Sequence, residues 1–336
     1  MDKRVQQLTE KKQQLATYGS LPSELLQNLE EWLKVELTYT SNAIEGNTLT
    51  RVQTAEVIER GVTAVISGKS LRDQLEAINH ARALDFIYDL ATKRKGHQFI
   101  TERDILDIHK YILSTIDDAG AGIYRRIDVF IRGKDVEFPR PQQVPSLMGE
   151  FIHWLEGQQE EHPVRVAADA HFKFVTIHPF IDGNGRTGRL LMNLILILNG
   201  YPMAIIKTEE RTAYLDAIYK GQKQQKFDDF YNIIENAVDR SLDVYLNAAR
   251  GEFPLTPLTK PLTTGKLLRL GKLAEATGEK VANLAYWTRE KLLPVQAKTE
   301  GGYNLYDASI IARVKEIRQL QTVDRLTIEE IKERLG

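Results

Sequence analysis

The chain has 336 residues with 42% hydrophobic and 27% charged side chains, ordinary proportions for a globular protein, and its length accommodates about two domains. A formal net charge of -1 excludes a chain that coats nucleic acid over its whole surface, and the lack of cysteine excludes disulfides, thiol catalysis and zinc-thiolate sites. The opening Met1-Asp2-Lys3-Arg4-Val5-Gln6-Gln7 has no apolar signal-peptide core, and the most apolar run, Leu190 to Ile206, is broken by Asn193, Asn199, Gly200 and Pro202; a cytoplasmic protein with no membrane span is the expectation.

From Pro22 to about Ile44, Leu25, Leu26, Leu29, Leu33 and Leu37 share one side, which predicts an amphipathic helix with Pro22 in the tolerant first turn and Gly46 as C-terminal cap. Ser41 and Glu45 stand four apart near its end, neighbours on one face; spacing alone reads as a polar helix terminus. The pattern stays helical from Thr50 through Leu90, with Gly61 and Ser67-Gly68 as breaks. Ile100 to Leu113 predicts another helix, opened by Thr101 with Glu102 and Asp104 in the first turn.

Then the period changes. Ile127, Val129 and Ile131 alternate with Asp128, Phe130 and Arg132, Gly133-Lys134-Asp135 reads as a turn, and Val136 and Phe138 precede Pro139 and Pro141, so a short β-hairpin is predicted over about 126–139. Val144 to Leu155 and Val166 to Ile177 are amphipathic helices. His171 lies seven residues before His178 on a similar face; with no third ligand at suitable spacing it reads as a buried, hydrogen-bonded histidine.

The richest stretch follows: His178-Pro179-Phe180-Ile181-Asp182-Gly183-Asn184-Gly185-Arg186-Thr187-Gly188-Arg189. Pro179 ends one helix and a second begins near Asn184, so the centre is a helix N-terminus opening from a glycine-rich turn. Such a turn leaves backbone N–H groups free to cradle phosphate, and Gly183 and Gly185 allow close approach. Arg186 and Arg189, three apart, can grip terminal phosphate oxygens; Asp182 can hold a magnesium ion; His178 can take a proton as general base. Singly, Asn184 reads as a helix cap and Asp182 as a turn former. Their conjunction within twelve residues favours phosphate chemistry. Leu190 to Leu198 is apolar nearly all round and predicts a central helix, Arg211-Thr212-Ala213-Tyr214-Leu215 opens a further one, and Phe227 to Ala249 closes the first domain.

Phe253 to Thr264 holds three prolines and four threonines and reads as an extended linker. Beyond it, Leu270 to Gly278 and Val281 to Lys291 predict a helix-turn-helix, Gly301-Gly302-Tyr303-Asn304-Leu305-Tyr306 a β-wing, and Ala308 to Leu320 and Thr327 to Leu335 two more helices.

The stretch from His178 to Arg189 matches the HxFx[D/E]GNGRxxR signature and is similar to that of Fic-domain proteins at every position. The resemblance implies transfer of AMP from ATP to a Ser, Thr or Tyr hydroxyl of a target protein, or of the protein itself, with His178 as base, Asp182 as magnesium ligand, Gly183, Asn184 and Gly185 as phosphate cradle, Arg186 and Arg189 on the ATP phosphates, and the hairpin as a flap that docks the target. Ser41-Asn42-Ala43-Ile44-Glu45-Gly46 resembles the [S/T]xxxE[G/N] inhibitory motif of one class of that family. A Glu45 carboxylate presented to Arg189 would leave ATP bound but misplaced, a built-in brake. The same site could also remove AMP from a modified protein, or a sensing Fic portion could serve a DNA-binding regulator.

Leu284-Ala285-Tyr286-Trp287 and Leu292-Leu293-Pro294, with Gly302 to Tyr306, resemble the winged helix-turn-helix of the MerR family. Ala285 and Asn304 stand where that family usually carries arginine, and from Gly251 onward there are 14 Lys and Arg against 11 Asp and Glu, a weak footprint for DNA. DNA binding through 266–336 and protein contact or homodimerisation stand as alternatives. The expected architecture is mainly α: a Fic-type helical core over 1–250 with an inhibitory helix (about 22–46) and a hairpin flap, a linker over 251–265, and a winged helix-turn-helix over 266–336.

Overall fold

Helix-capping side chains set several of the element boundaries in this computed structural model, which describes residues 3–19, 21–64, 66–130, 135–252, 268–295, 297–298, 303–306, 310–322 and 326–335. Two units separate in the chain, Met1–Leu255 and Thr256–Gly336.

The first unit is helical. α1 (Lys3–Thr17) buries Val5 and Leu8 against α10 (Asp228–Ala249) and is pinned by Lys11, 2.6 Å from both Asp239 and Asp243. Its apolar stripe is thin among lysines and glutamines, so periodicity alone passes over it. α2 (Ser23–Ile44) sinks Leu29, Leu33, Leu37 and Ile44 into the main core, as the leucine spacing predicts. Thr50 and Gln53 form a capping box that starts α3 (Arg51–Arg60), the Ser70 hydroxyl accepts from Asp73 N to start α4 (Leu71–Lys93), and Thr101 with Asp104 caps α5 (Glu102–Leu113).

α6 (Val144–Glu156) precedes α7 (Pro163–Ile177), which begins three residues before Val166 because Pro163 suits a first turn and His162 Nδ1 accepts from Val164 N. α8 (Asn184–Leu198) is the central element: every residue in it is buried except Gly185 and Ile197, and it packs against α7, α4 and α5. The polar Asn193 in its middle exchanges two hydrogen bonds with the backbone of Ala204, bracing the segment that leads to α9 (Arg211–Gln224).

The expected hairpin takes a different form. Among the described residues neither 126–130 nor 135–139 is a strand, and no backbone-to-backbone hydrogen bond joins the two arms. A buried side chain, described below, performs that joining instead. Of the expected turn, Gly133 and Lys134 lie outside the described residues, as do Ile131 and Arg132 before it.

In the second unit, β1 (Leu268–Arg269), β2 (Ala297–Lys298) and β3 (Asn304–Tyr306) form an antiparallel sheet in the order β1-β3-β2, with Leu268 opposite Tyr306 and Ala297 opposite Leu305. α11 (Leu270–Thr277) ends at Gly278 in the left-handed region, and α12 (Val281–Arg289), α13 (Ile310–Thr322) and α14 (Ile328–Leu335) complete a core of Leu273, Leu284, Trp287, Leu293, Ile317 and Ile331. The expected linker from Phe253 to Thr264 and the Gly301-Gly302 start of the wing lie outside the described residues.

Candidate active site

α7 stops at His178, whose backbone takes the left-handed conformation (φ 52°, ψ 58°) with its N–H donating to Phe174 O. For a residue other than glycine this is a strained position that surrounding contacts must hold. His178 Nδ1 lies 3.1 Å from the carbonyl oxygen of Val175. A carbonyl only accepts, so Nδ1 carries the hydrogen and Nε2 keeps a lone pair to take a proton. Burial pulls its pKa down to about 4, with the Arg125 charge adding to the effect and the Val175 carbonyl, Glu45 and Asp182 opposing it.

The loop after it is built on Phe180 and Asn184. Phe180 is fully buried and stacks on His109, ring centroids 3.5 Å apart and nearly parallel. The Asn184 side chain accepts from Phe180 N at 3.0 Å and donates to Phe180 O at 2.8 Å, closing the loop on itself. Gly183 caps α8 with φ 77° and no side-chain hydrogen bond, so the first N–H groups of the helix, from Asn184 to Arg186, have neither an intrahelical acceptor nor a capping side chain. These are the donors an anion would use.

An anion from the protein already stands there. A Cβ built on Gly185 would lie 2.2 Å from Glu45 Oε1, and the same oxygen accepts from Arg189 Nη2 at 2.7 Å. The Glu45 carboxylate lies between the helix N-terminus and a cation. Arg189, 3% exposed, also donates from Nε to the Ser41 hydroxyl at 3.0 Å and from Nη2 to Ser41 O at 2.9 Å, and it interacts with the buried Tyr214 of α9, whose hydroxyl lies 2.5 Å from His171 Nε2. His171 is thus fully buried with a tyrosine partner, as its place in the pattern suggests.

Arg186 is 2% exposed, with Nη1 3.3 Å from Glu76 Oε1 and Nη2 3.6 Å from Asp182 Oδ1, yet its Nε and Nη1 make no hydrogen bond. A buried guanidinium with unused donors calls for an oxyanion. Glu76 of α4 also accepts from Arg72 Nε and Asn47 Nδ2.

Asp182 is half exposed. Its Oδ1 accepts from Gly183 N at 2.6 Å, its Oδ2 from Arg72 Nη2 at 2.7 Å, and its backbone carbonyl from His109 Nε2 at 2.9 Å. Among the described residues no three acidic or histidine side chains gather to cage a metal. One half-exposed carboxylate beside an anion nest fits magnesium, which keeps most of its shell in water and substrate phosphate.

The predicted residues therefore converge: His178, Asp182, Gly183, Asn184, Gly185, Arg186 and Arg189 surround one helix terminus, with Ser41 and Glu45 reaching them from α2. Sequence reasoning did not single out Arg72, Glu76, His109, Arg125 or Tyr214. Each acts through tertiary contact, and no local spacing marks it.

A model of the Fic/DOC family matches residues 99–196, and one of MerR HTH family regulatory proteins matches 268–336. The protein adenylyltransferase Fic of Culex quinquefasciatus is 36% identical over 246 residues, 73% of this chain and 48% of that protein, so the chain spans about half the length of the curated relatives it matches. Among solved structures, Fic-1 of C. elegans is 30% identical with a TM-score of 0.67, covering 74% of this chain and 72% of that one. A Fic domain containing signaling protein from Bacteroides thetaiotaomicron is 30% identical with a TM-score of 0.65, over 74% of this chain and 98% of that one. With nearly the whole of a solved relative matched in sequence and fold, and with the loop of α8 assembled as its motif foretells, the chain belongs to the Fic/DOC family.

Proposed function

We propose that the chain is a protein adenylyltransferase that moves AMP from ATP to a Ser, Thr or Tyr hydroxyl of a target protein, restrained by Glu45. The observation that carries this reading is the Glu45 carboxylate held by Arg189 over the open end of α8, beside a histidine whose free nitrogen is fixed as a base. The names of its relatives agree with it.

The chain's residues divide the work simply. His178 Nε2 takes the proton of the target hydroxyl while that oxygen forms a bond to the α-phosphorus of ATP. The bond from that phosphorus to the bridging oxygen breaks and pyrophosphate leaves. The N–H groups at the start of α8, Arg186 and Arg189 stabilise the charge that develops on the phosphates. A magnesium ion held by Asp182 would supply further neutralisation of phosphate charge.

Because Glu45 lies close enough to His178 for its charge to be felt there, it could also orient a water for removal of AMP. The full chain and its Glu45→Gly and His178→Ala variants, incubated with labelled ATP and magnesium, separate these readings. Transfer requires that Glu45→Gly label itself more strongly and His178→Ala not at all. Release of label from a premodified acceptor by the unaltered chain, lost in Glu45→Gly, would select removal.

For the second unit, α12 turns Val281, Ala285, Tyr286 and Arg289 outward, a face poor in cations for a helix that reads DNA. Salt-sensitive duplex binding would assign it to DNA, and its lack to protein contact or homodimerisation.

A further inference from the structure

Arg125 stands just ahead of the flap segment and is 2% exposed. A buried guanidinium is costly to desolvate, and its donors must be matched. Here they are matched by main-chain carbonyls. Nε donates to His178 O at 2.8 Å, Nη1 to Ile127 O at 3.0 Å and Nη2 to Pro139 O, while the residue's own N–H donates to Pro179 O at 2.9 Å. Ile127 lies on the segment 126–130 and Pro139 on the segment 135–139, the two arms of the expected flap. One planar fork therefore closes the base of the flap where a strand ladder would otherwise do so, and fastens that base to the peptide of the base histidine. Phe138, adjacent to Pro139, lays its ring 4.2 Å from the His178 imidazole.

We propose that Arg125 is a positioning residue that sets the flap and His178 in one register, so that a target docked on the flap presents its hydroxyl to Nε2. It touches neither nucleotide nor target. The left-handed backbone of His178 makes the tie consequential, since a strained peptide keeps its geometry only while its neighbours hold it. Lysine cannot replace the fork, because its single ammonium cannot span carbonyls on both arms and on His178 in one plane. The inference rests on the transferase reading for its consequence in catalysis, and on geometry alone for the mechanical tie.

The test uses the full chain in two arms. In the first, hydrogen exchange is followed by mass spectrometry in Arg125→Gln and Arg125→Lys. Faster exchange appearing together in peptides covering 126–140 and 176–183 is expected; a change in only one of these segments, or in neither, overturns the tie. In the second, the same substitutions are placed in the Glu45→Gly variant, and a His178→Ala copy of the chain is the acceptor. The acceptor KM is expected to rise at least tenfold while the KM for ATP stays within twofold. An equal loss for both substrates, or full activity in the lysine variant, refutes the positioning role. Should Arg125→Gln fail to fold, Arg125→Lys carries both arms. Should the Glu45→Gly parent transfer nothing, the transferase reading fails, while the exchange arm still decides on Arg125.

Discussion

Glu45 and Arg189, 144 residues apart in sequence, meet at 2.7 Å at the mouth of a helix whose first N–H groups have no other acceptor in their own helix. The carboxylate pairs with the cation and stands beside the helix terminus, the place that the proposed reading gives to nucleotide phosphate. Replacing Glu45 by glycine is expected to raise AMP transfer by on the order of a hundredfold, the scale of rate lost when a reacting group sits about 1 Å from its productive place. Initial rates of labelled-AMP incorporation check this, and an unchanged rate would remove the brake from the account.

Gly185→Ala is expected to weaken ATP binding by more than tenfold, measured by calorimetry in the Glu45→Gly variant. The added methyl would project into the cradle where Glu45 Oε1 now lies, 2.2 Å from the Cβ position. The same methyl would stand 3.2 Å from Arg189 Nη1, so the melting temperature is compared in the same variant. Reduced binding with undiminished stability is the combination to look for.

Glu76→Gln removes the carboxylate beside the buried Arg186 and is expected to cost about 3 kcal/mol in the nucleotide-free chain. Phosphate can replace the missing charge. Thermal melting with and without ATP should therefore show a larger ATP-induced shift in the variant than in the unaltered chain; equal shifts would disprove a shared role for Glu76 and phosphate at Arg186.

Acid should destabilise the first unit early. Burial lowers His80 and His171 to about 3 and His109 and His178 to about 4, all below the ordinary 6.5. As pH falls through 6.5 the unfolded chain takes up protons that the folded chain refuses, so stability present above 6.5 is lost progressively down to about 4. Each such histidine contributes a slope of up to about 1.4 kcal/mol per pH unit in that window. A melting temperature that stays level from pH 7 to pH 5 would contradict this.

The loop motif was legible because its chemistry is local: proline, glycines, acid and arginines lie within one stretch of twelve residues. The leucines of α2 and the caps at Thr50 and Thr101 were legible for the same reason. Arg125 was not, since nothing in the sequence distinguishes it from its exposed neighbour Arg126; only the fold brings three carbonyls around one of the two. The described arms, 126–130 and 135–139, are not strands, because alternation reports a preference for extended backbone and is silent about how two arms are joined. Tyr214 and His109 serve the site from behind, through contacts that cross the core.

The last turn of α2 delivers Glu45, yet the rest of that helix is committed elsewhere, with Leu29, Leu33, Leu37 and Ile44 all at most 2% exposed. Stripping those side chains into water would forfeit roughly 6–12 kcal/mol at about 1.5–3 kcal/mol each, comparable to the whole stability of a domain. On the proposed brake, then, there is no detachable plug to pull. A signal that relieved it would have to nudge a fingertip while the arm stays anchored, which makes Gly46 and the residues around it the point of leverage.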